Sequence, residues 1–393
     1  VTRTPPLRLL LILSQAVIIQ AIVYAMRPSL SYAALDAGAS PALLGVISAA
    51  FALPGLLLAL PVGHVNDRFG ERWLLVAGAI AIVAATILAT TGLSSVALII
   101  VATALLGLGH LVSLIGQQAM VGNTTNRQKF DSVFGLYTFS ASVGQTLGPL
   151  LLVLPGGTES LPPLHLIFLS CGALSIAMLV MSLFMTSSPH DRPESPPGML
   201  STAGVLLRTR GLPQSLIATS IVLSSLDIFL AYTPALGHER GISTGVVSAM
   251  LVARSVMSMA SRLSLGRMVL LAGRRRLLIS TISVSALALA CIALPLPPLW
   301  LVVLSGVYGF VMGTCQPITL SWVSDLAPPG TRGLAMSMRL ASNRLGQTAL
   351  PATVGTFASA TGAPGVLVAT GILLAFAAWS SSAVPNSTAA ADG

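Results

Sequence analysis

The feature that most constrains this chain is a series of twelve unbroken apolar runs, most of them long enough to cross a bilayer. They cover residues 9–34, 41–62, 73–92, 95–120, 131–153, 163–185, 214–235, 243–266, 276–295, 298–322, 332–356 and 363–383, each bounded by charge, Pro or Gly. About 20 apolar residues span the hydrocarbon core as a helix. Inside lipid, only helices and closed barrels satisfy their own backbone hydrogen bonds. Barrel strands alternate in polarity over about 10 residues, and these runs do not. The chain is therefore read as an all-α membrane protein with 12 transmembrane helices. Composition agrees: 54% of the 393 residues are hydrophobic and 8% are charged, against about 25% charged in soluble domains. A soluble globular protein, a disordered chain and a secreted disulfide scaffold are excluded.

Cys171, Cys291 and Cys315 all fall inside apolar runs. An odd number at this spacing suits neither a disulfide framework nor a metal, so no metal or cofactor is expected. Arg3 and Arg8 precede an apolar run too long for a cleavable signal peptide. The segment 186–213 is polar and Pro-rich, and reads as a linker between residues 1–185 and 214–384. Residues 385–393 read as a disordered tail.

Fifteen of the 20 basic residues, from Arg3 and Arg8 to Arg262, Arg274, Arg275, Arg276 and Arg332, fall on one side of this topology. Arg240 falls on the other, and Arg27, Arg254, Arg339 and Arg344 lie within spans. By the positive-inside rule both termini and the linker are cytoplasmic. The same rule accounts for the pI near 10.5, so the charge is no argument for nucleic-acid binding. Arginine bias and the opening valine suggest a bacterial gene, hence the inner membrane.

The chain also repeats itself. Gly144-Gln-Thr-Leu-Gly-Pro149 matches Gly346-Gln-Thr-Ala-Leu-Pro351 at an offset of 202. Gly63 and Gly70 match Gly266 and Gly273, and Gly38-Ala-Ser40 matches Gly241-Ile-Ser243, both at 203. One offset at three landmarks means a duplicated six-helix unit. Two such units side by side are an architecture of secondary transporters, with the site between them at the bilayer midplane.

The motif Gly63-His-Val-Asn-Asp67-Arg68-Phe-Gly70-Glu-Arg72, placed in the loop after the second span, resembles the G-x-x-x-D-R-x-G-R signature of the major facilitator superfamily. Gly144-x-x-x-Gly148-Pro149 resembles the fifth-helix motif of its drug/proton antiporters, and Pro28 with Gly38-Ala-Ser40 is similar to the end of their first helix. The resemblance implies two pseudo-symmetric six-helix bundles, with helices 1, 4, 7 and 10 lining a cavity. It also implies that the Asp67 loop latches the cytoplasmic side, with Asp67 against the N-terminus of helix eleven. In the second copy Leu270 and Leu271 replace the charges, so the latch is expected to be one-sided. Thr103 stands where such antiporters carry a helix-four arginine. The glycines of the fifth span allow close packing, and Pro149 is expected to bend it.

Ionisable groups inside a membrane are costly and mark function. Arg27, Asp227, Arg254 and Arg344 fall near mid-depth, with His110 close by. Gln20, Tyr24, Arg27 and Ser31 are spaced 4, 3 and 4 and form one polar stripe on the first helix. Asp227 and Arg254, on consecutive helices at similar depth, are expected to pair. Arg339 and Arg344 point about 140° apart, so Arg344 is assigned inward and Arg339 to a gate or headgroup contact. Gln117, Gln118 and Gln316 can hydrogen-bond a ligand or a neighbouring helix.

Neither H-E-x-x-H nor a phosphate-binding G-x-x-x-x-G-K-[ST] occurs, so neither an enzyme nor an ATP-driven pump is expected. The reading is a monomeric secondary active transporter of a small organic solute, coupled to protons and surrounded by lipid. Three mid-span arginines against one carboxylate favour an anionic or zwitterionic substrate. Multidrug efflux by drug/proton antiport is the alternative, and a receptor or lipid-handling protein of the same fold is the non-transport one. An exchange in which the substrate takes an arginine and Asp227 takes a proton would couple the two.

Overall fold

A computed structural model of the chain describes residues 6–92, 94–124, 130–153, 159–186, 211–326 and 332–382. The elements are α1 (Pro6–Asp36), α2 (Pro41–Phe69), α3 (Glu71–Thr91), α4 (Val96–Thr124), α5 (Phe130–Leu147), α6 (Leu164–Leu183), α7 (Leu212–Arg240), α8 (Thr244–Ala272), α9 (Arg274–Ile292) and α10 (Pro298–Leu326). A final helical stretch, Arg332–Ser382, breaks at Gly362 (φ 67°) into α11 (332–361) and α12 (363–382). Among the described residues there are thus twelve helices and no strand, and eleven of the helices have the length and hydropathy to cross a membrane. α5 gives way to a 3-10 turn, Gly148–Val153, where Pro149 removes a backbone donor. The proposed tail 385–393 and most of the linker lie outside the described residues.

One boundary differs from the sequence reading. Gly63–Phe69 is not a loop: α2 runs through it, and the chain turns only at Gly70 (φ 86°). α8 likewise runs past Gly266 to turn at Gly273 (φ 74°). A side chain is strained at such a φ and glycine is not. At α2 polar residues end the hydrophobic run without ending the helix, because a helix can continue into the headgroup region; at α8, Gly266 and Arg267 interrupt the run and the helix continues through 268–272.

The duplication is visible in the packing. α1 packs on α5 and α6, α2 and α3 on α4, and α3 on α6. α8 and α9 pack on α10, while the 332–382 stretch packs on α7 and α9. Gly144 and Gly148 seat α5 on α1, where an added Cβ at Gly148 would come within 2.9 Å of Tyr24 Cβ. At the matching place, a Cβ on Gly346 would come within 2.8 Å of Ser220 Cβ on α7.

The two sets of six helices meet mainly at one end, opposite the basic end that carries Arg68, Arg72 and Arg274–Arg276. At this far end a Cβ on Gly45 of α2 would run into the Pro351 carbonyl oxygen and lie 2.9 Å from Gly355 Cα. Tyr232 donates to the Pro41 carbonyl (3.1 Å), Ser248 to the Pro149 carbonyl (2.6 Å) and the Thr244 amide to the Glu159 carbonyl (2.8 Å). Gly63 is five turns further along the same face of α2, and a Cβ there would meet nothing within 4 Å. α2 and α11 therefore cross closely at the far end.

Candidate functional site

The polar stripe of α1 is central to the site. Pro28 cannot donate to the carbonyl one turn before it, so the helix carries a local irregularity beside Arg27. Arg27 is buried and forms an ion pair with Asp227 of α7, joining the first six helices to the last six. Its other guanidinium nitrogen donates to Ser48 Oγ of α2 (3.3 Å), and its carbon lies 4.4 Å from the centre of the Phe51 ring. The second Asp227 oxygen accepts from Gln347 Nε2 of α11 (2.8 Å), and Gln347 Oε1 accepts from Arg344 (3.4 Å). Arg344 lies along Gly55 of α2, where an added Cβ would stand 2.9 Å from its Cδ and Nε. His110 of α4 extends the cluster. Its Nε2 lies 3.3 Å from Gln20 Nε2, and its ring centre is 5.6 Å from that of Phe51.

A second polar group lies one turn away along α1. The Arg254 guanidinium of α8 sits over the Tyr24 ring at 5.3 Å and donates to Ser255 Oγ (2.7 Å), which in turn donates to the Gln145 carbonyl of α5 (3.2 Å). Two turns further along α8, Arg262 donates to Ser142 Oγ of α5 (3.0 Å) and to Gln316 Oε1 of α10 (3.4 Å). Arg339 of α11 reaches the Gln316 carbonyl and Thr319 Oγ1, both at 3.5 Å.

Several expectations are corrected here. Asp227 pairs with Arg27 and not with Arg254. Consecutive helices at matching depth need not face each other, whereas the duplicated fold sets α1 beside α7. Arg339 is buried against α10 and is not a headgroup contact. Arg262, counted among the basic-side loop charges, lies inside α8 between the two sets of helices. Gln117 is fully buried and accepts from Tyr137 of α5 (3.1 Å), which ties α4 to α5. Gln118 is exposed. Ser31 is satisfied within its own helix by the Arg27 carbonyl, and Thr103 by Ile99.

Gln20, Tyr24, Arg27, His110, Asp227 and Arg344 come together in one region, with Arg254 and Gln316 in the adjoining one. Gln347, Ser48, Phe51 and Arg262 were missed. The repeated Gly-Gln-Thr contained Gln347, but it drew attention for its glycine.

Of the gating residues, Arg68 is exposed, with its guanidinium 5.3 Å from the Phe69 ring centre. Arg72 donates to the Leu183 carbonyl at the end of α6 (3.0 Å). A cation is favoured at a helix C-terminus. The Asp67 side chain lies outside the described residues, as do the α11 side chains expected to face it.

In the two adjoining polar groups, the buried or half-buried arginines Arg27, Arg254, Arg262, Arg339 and Arg344 are accompanied by one carboxylate among the described residues, Asp227. Arg254, Arg262, Arg339 and Arg344 have no carboxylate within 4.0 Å among the described residues. Moving an ion out of water costs several kcal/mol even after relaxation, roughly speaking. A site of this kind gains from binding negative charge.

The comparisons point the same way on fold. A family model described as Major Facilitator Superfamily matches residues 12–234 and 215–390. No curated protein matches the sequence. Among solved structures, a variant of the nucleoside transporter NupG superposes with a TM-score of 0.82 at 13% identity, covering 95% of this chain and 99% of that one. A D-xylose-proton symporter gives 0.75 at 13% identity, covering 96% and 98%. A POT family transporter in complex with 5-aminolevulinic acid gives 0.73 at 13% identity, covering 94% of each chain.

Proposed function

Since the chain belongs to the major facilitator superfamily, we propose that it is a secondary active transporter that moves a small organic anion or zwitterion by alternating access. The observation that carries this reading is the Arg27–Asp227 pair, shared between the two sets of six helices and extended by Gln347 and Arg344. A pair held jointly by two rocking bodies can be opened by a substrate that competes for its arginine. The excess of arginine over carboxylate around it gives the sign of that substrate.

With the basic end cytoplasmic, the close contact of α2 and α11 at the far end describes a state closed on the side away from the cytoplasm. This fits a bacterial inner-membrane protein with both termini inside. An anion that takes Arg27 leaves Asp227 without its partner, and a proton can then take the arginine's place. Substrate and proton would so move together, or replace one another in an exchange cycle.

The test is a thermal-shift screen of the purified protein against organic anions, zwitterions and lipophilic cations. Stabilisation by acids, lost in Arg344→Gln, supports the reading. Stabilisation by lipophilic cations alone overturns it in favour of drug efflux.

A further inference from the structure

Resting on that reading, we propose that the substrate carries two acidic groups, and that Arg254 and Arg262 of α8, beside Tyr24 and Gln316, hold the second. Three features of the structure lead there.

The first is the distribution of charge. The Arg27 cluster has its own carboxylate, Asp227. The Arg254–Arg262 group has none within salt-bridge distance among the described residues, and its hydrogen bonds go to the neutral groups Ser255, Ser142 and Gln316. Arg262 follows Arg254 by about two turns on α8. Like charges held together in a half-buried place call for an anion between them.

The second is an orphaned donor. Arg339 is 8% exposed and converges on the same Gln316, yet its Nε has no partner among the described residues. A buried N–H without an acceptor is costly. An acid oxygen drawn to this group would supply one.

The third is distance. Tyr24 touches the Arg254 group and Arg27 touches Asp227. The two residues are three apart on α1, about 4.5 Å along its axis. Because Arg27 and Arg254 both adjoin one turn of α1, with Arg262 about 12 Å further along α8, one extended molecule can reach both groups. Residues from both sets of helices form each group: Ser142 and Tyr24 stand opposite Arg262, Arg254 and Gln316, while Arg27 stands opposite Asp227. A substrate with two acidic ends would therefore draw the two bodies together at two points, whereas one with a single acid would leave one arginine group empty.

The experiment measures binding of straight-chain dicarboxylates of four to eight carbons, of monocarboxylates of the same lengths, and of inorganic phosphate. It uses the full-length protein in nanodiscs, as wild type, Arg262→Gln and Arg262→Lys. At least one dicarboxylate should bind the wild type about tenfold or more tighter than its monocarboxylate counterpart. Arg262→Gln should remove that advantage, weakening dicarboxylate binding about tenfold more than monocarboxylate binding. Arg262→Lys, which keeps the charge, should restore part of it. This rescue separates lost recognition from a lost fold.

Equal binding of the two series by wild type overturns the proposal and leaves the single-anion reading intact. So does an equal loss of both series in Arg262→Gln. Phosphate binding that depends on Arg262, without a dicarboxylate preference, also overturns it, since one dianionic group would then suffice. If no acid binds and lipophilic cations do, the anion reading itself fails, and this inference fails with it.

Discussion

Asp227 satisfies two helices at once: one oxygen faces Arg27 of α1 and the other accepts Gln347 of α11. Replacing it with Asn leaves the Arg27 charge buried and uncompensated. Breaking a buried pair from one side costs about 3–5 kcal/mol, so Asp227→Asn should lower the unfolding temperature clearly. Adding Arg27→Gln should recover part of the loss, because the orphaned charge is then gone. A double variant no more stable than Asp227→Asn in a thermal unfolding assay would mean that the pair is not the stabilising contact. That Asp227 and Arg27 matter was legible in the sequence, since a charge deep in an apolar run announces itself. Their pairing was not legible. Position within a run fixes depth in the membrane, but it does not say which helix lies alongside. Arg262 was missed for a related reason: it stands near the end of its apolar run, where depth reads as surface.

Helices α2 and α11 make the far-end contact through glycine. Gly45→Val places bulk against the Pro351 carbonyl and Gly355, so α2 and α11 can no longer approach. The variant should favour the state open at the far end, read as faster labelling of a cysteine placed at Ala42 by an impermeant maleimide. Gly63→Val, where nothing lies within 4 Å, is the control and should leave labelling in this state unchanged. Equal labelling of Gly45→Val and the parent would remove the close crossing from the account. The opposite end carries the proposed latch. Asp67→Asn should bias the protein toward opening at the basic end, seen as increased labelling of a cysteine at Ala59; unchanged labelling would count against the latch. Element boundaries were readable to within a few residues wherever hydropathy ended with the helix, as at α3, α6 and α9. They were misread at α2, whose last turns are polar and helical together, and at α8, where Gly266 and Arg267 interrupt the run but the helix continues through 268–272.

Across the whole molecule, the duplication at an offset of 202–203 residues reappears as paired turning glycines and as α5 and α11 seated by glycine on α1 and α7. Two similar bodies in close contact at the far end can rock about the charged group between them. The central claim is that this group couples the movement of an organic anion to protons through Asp227. Uptake of labelled organic acids into proteoliposomes, with and without an imposed pH gradient, tests it most directly in wild type and Asp227→Asn. Wild type should concentrate an acid when the gradient is imposed, and Asp227→Asn should only equilibrate it. If Asp227→Asn still concentrates the acid in response to the gradient, Asp227 is not the coupling group and the account is contradicted.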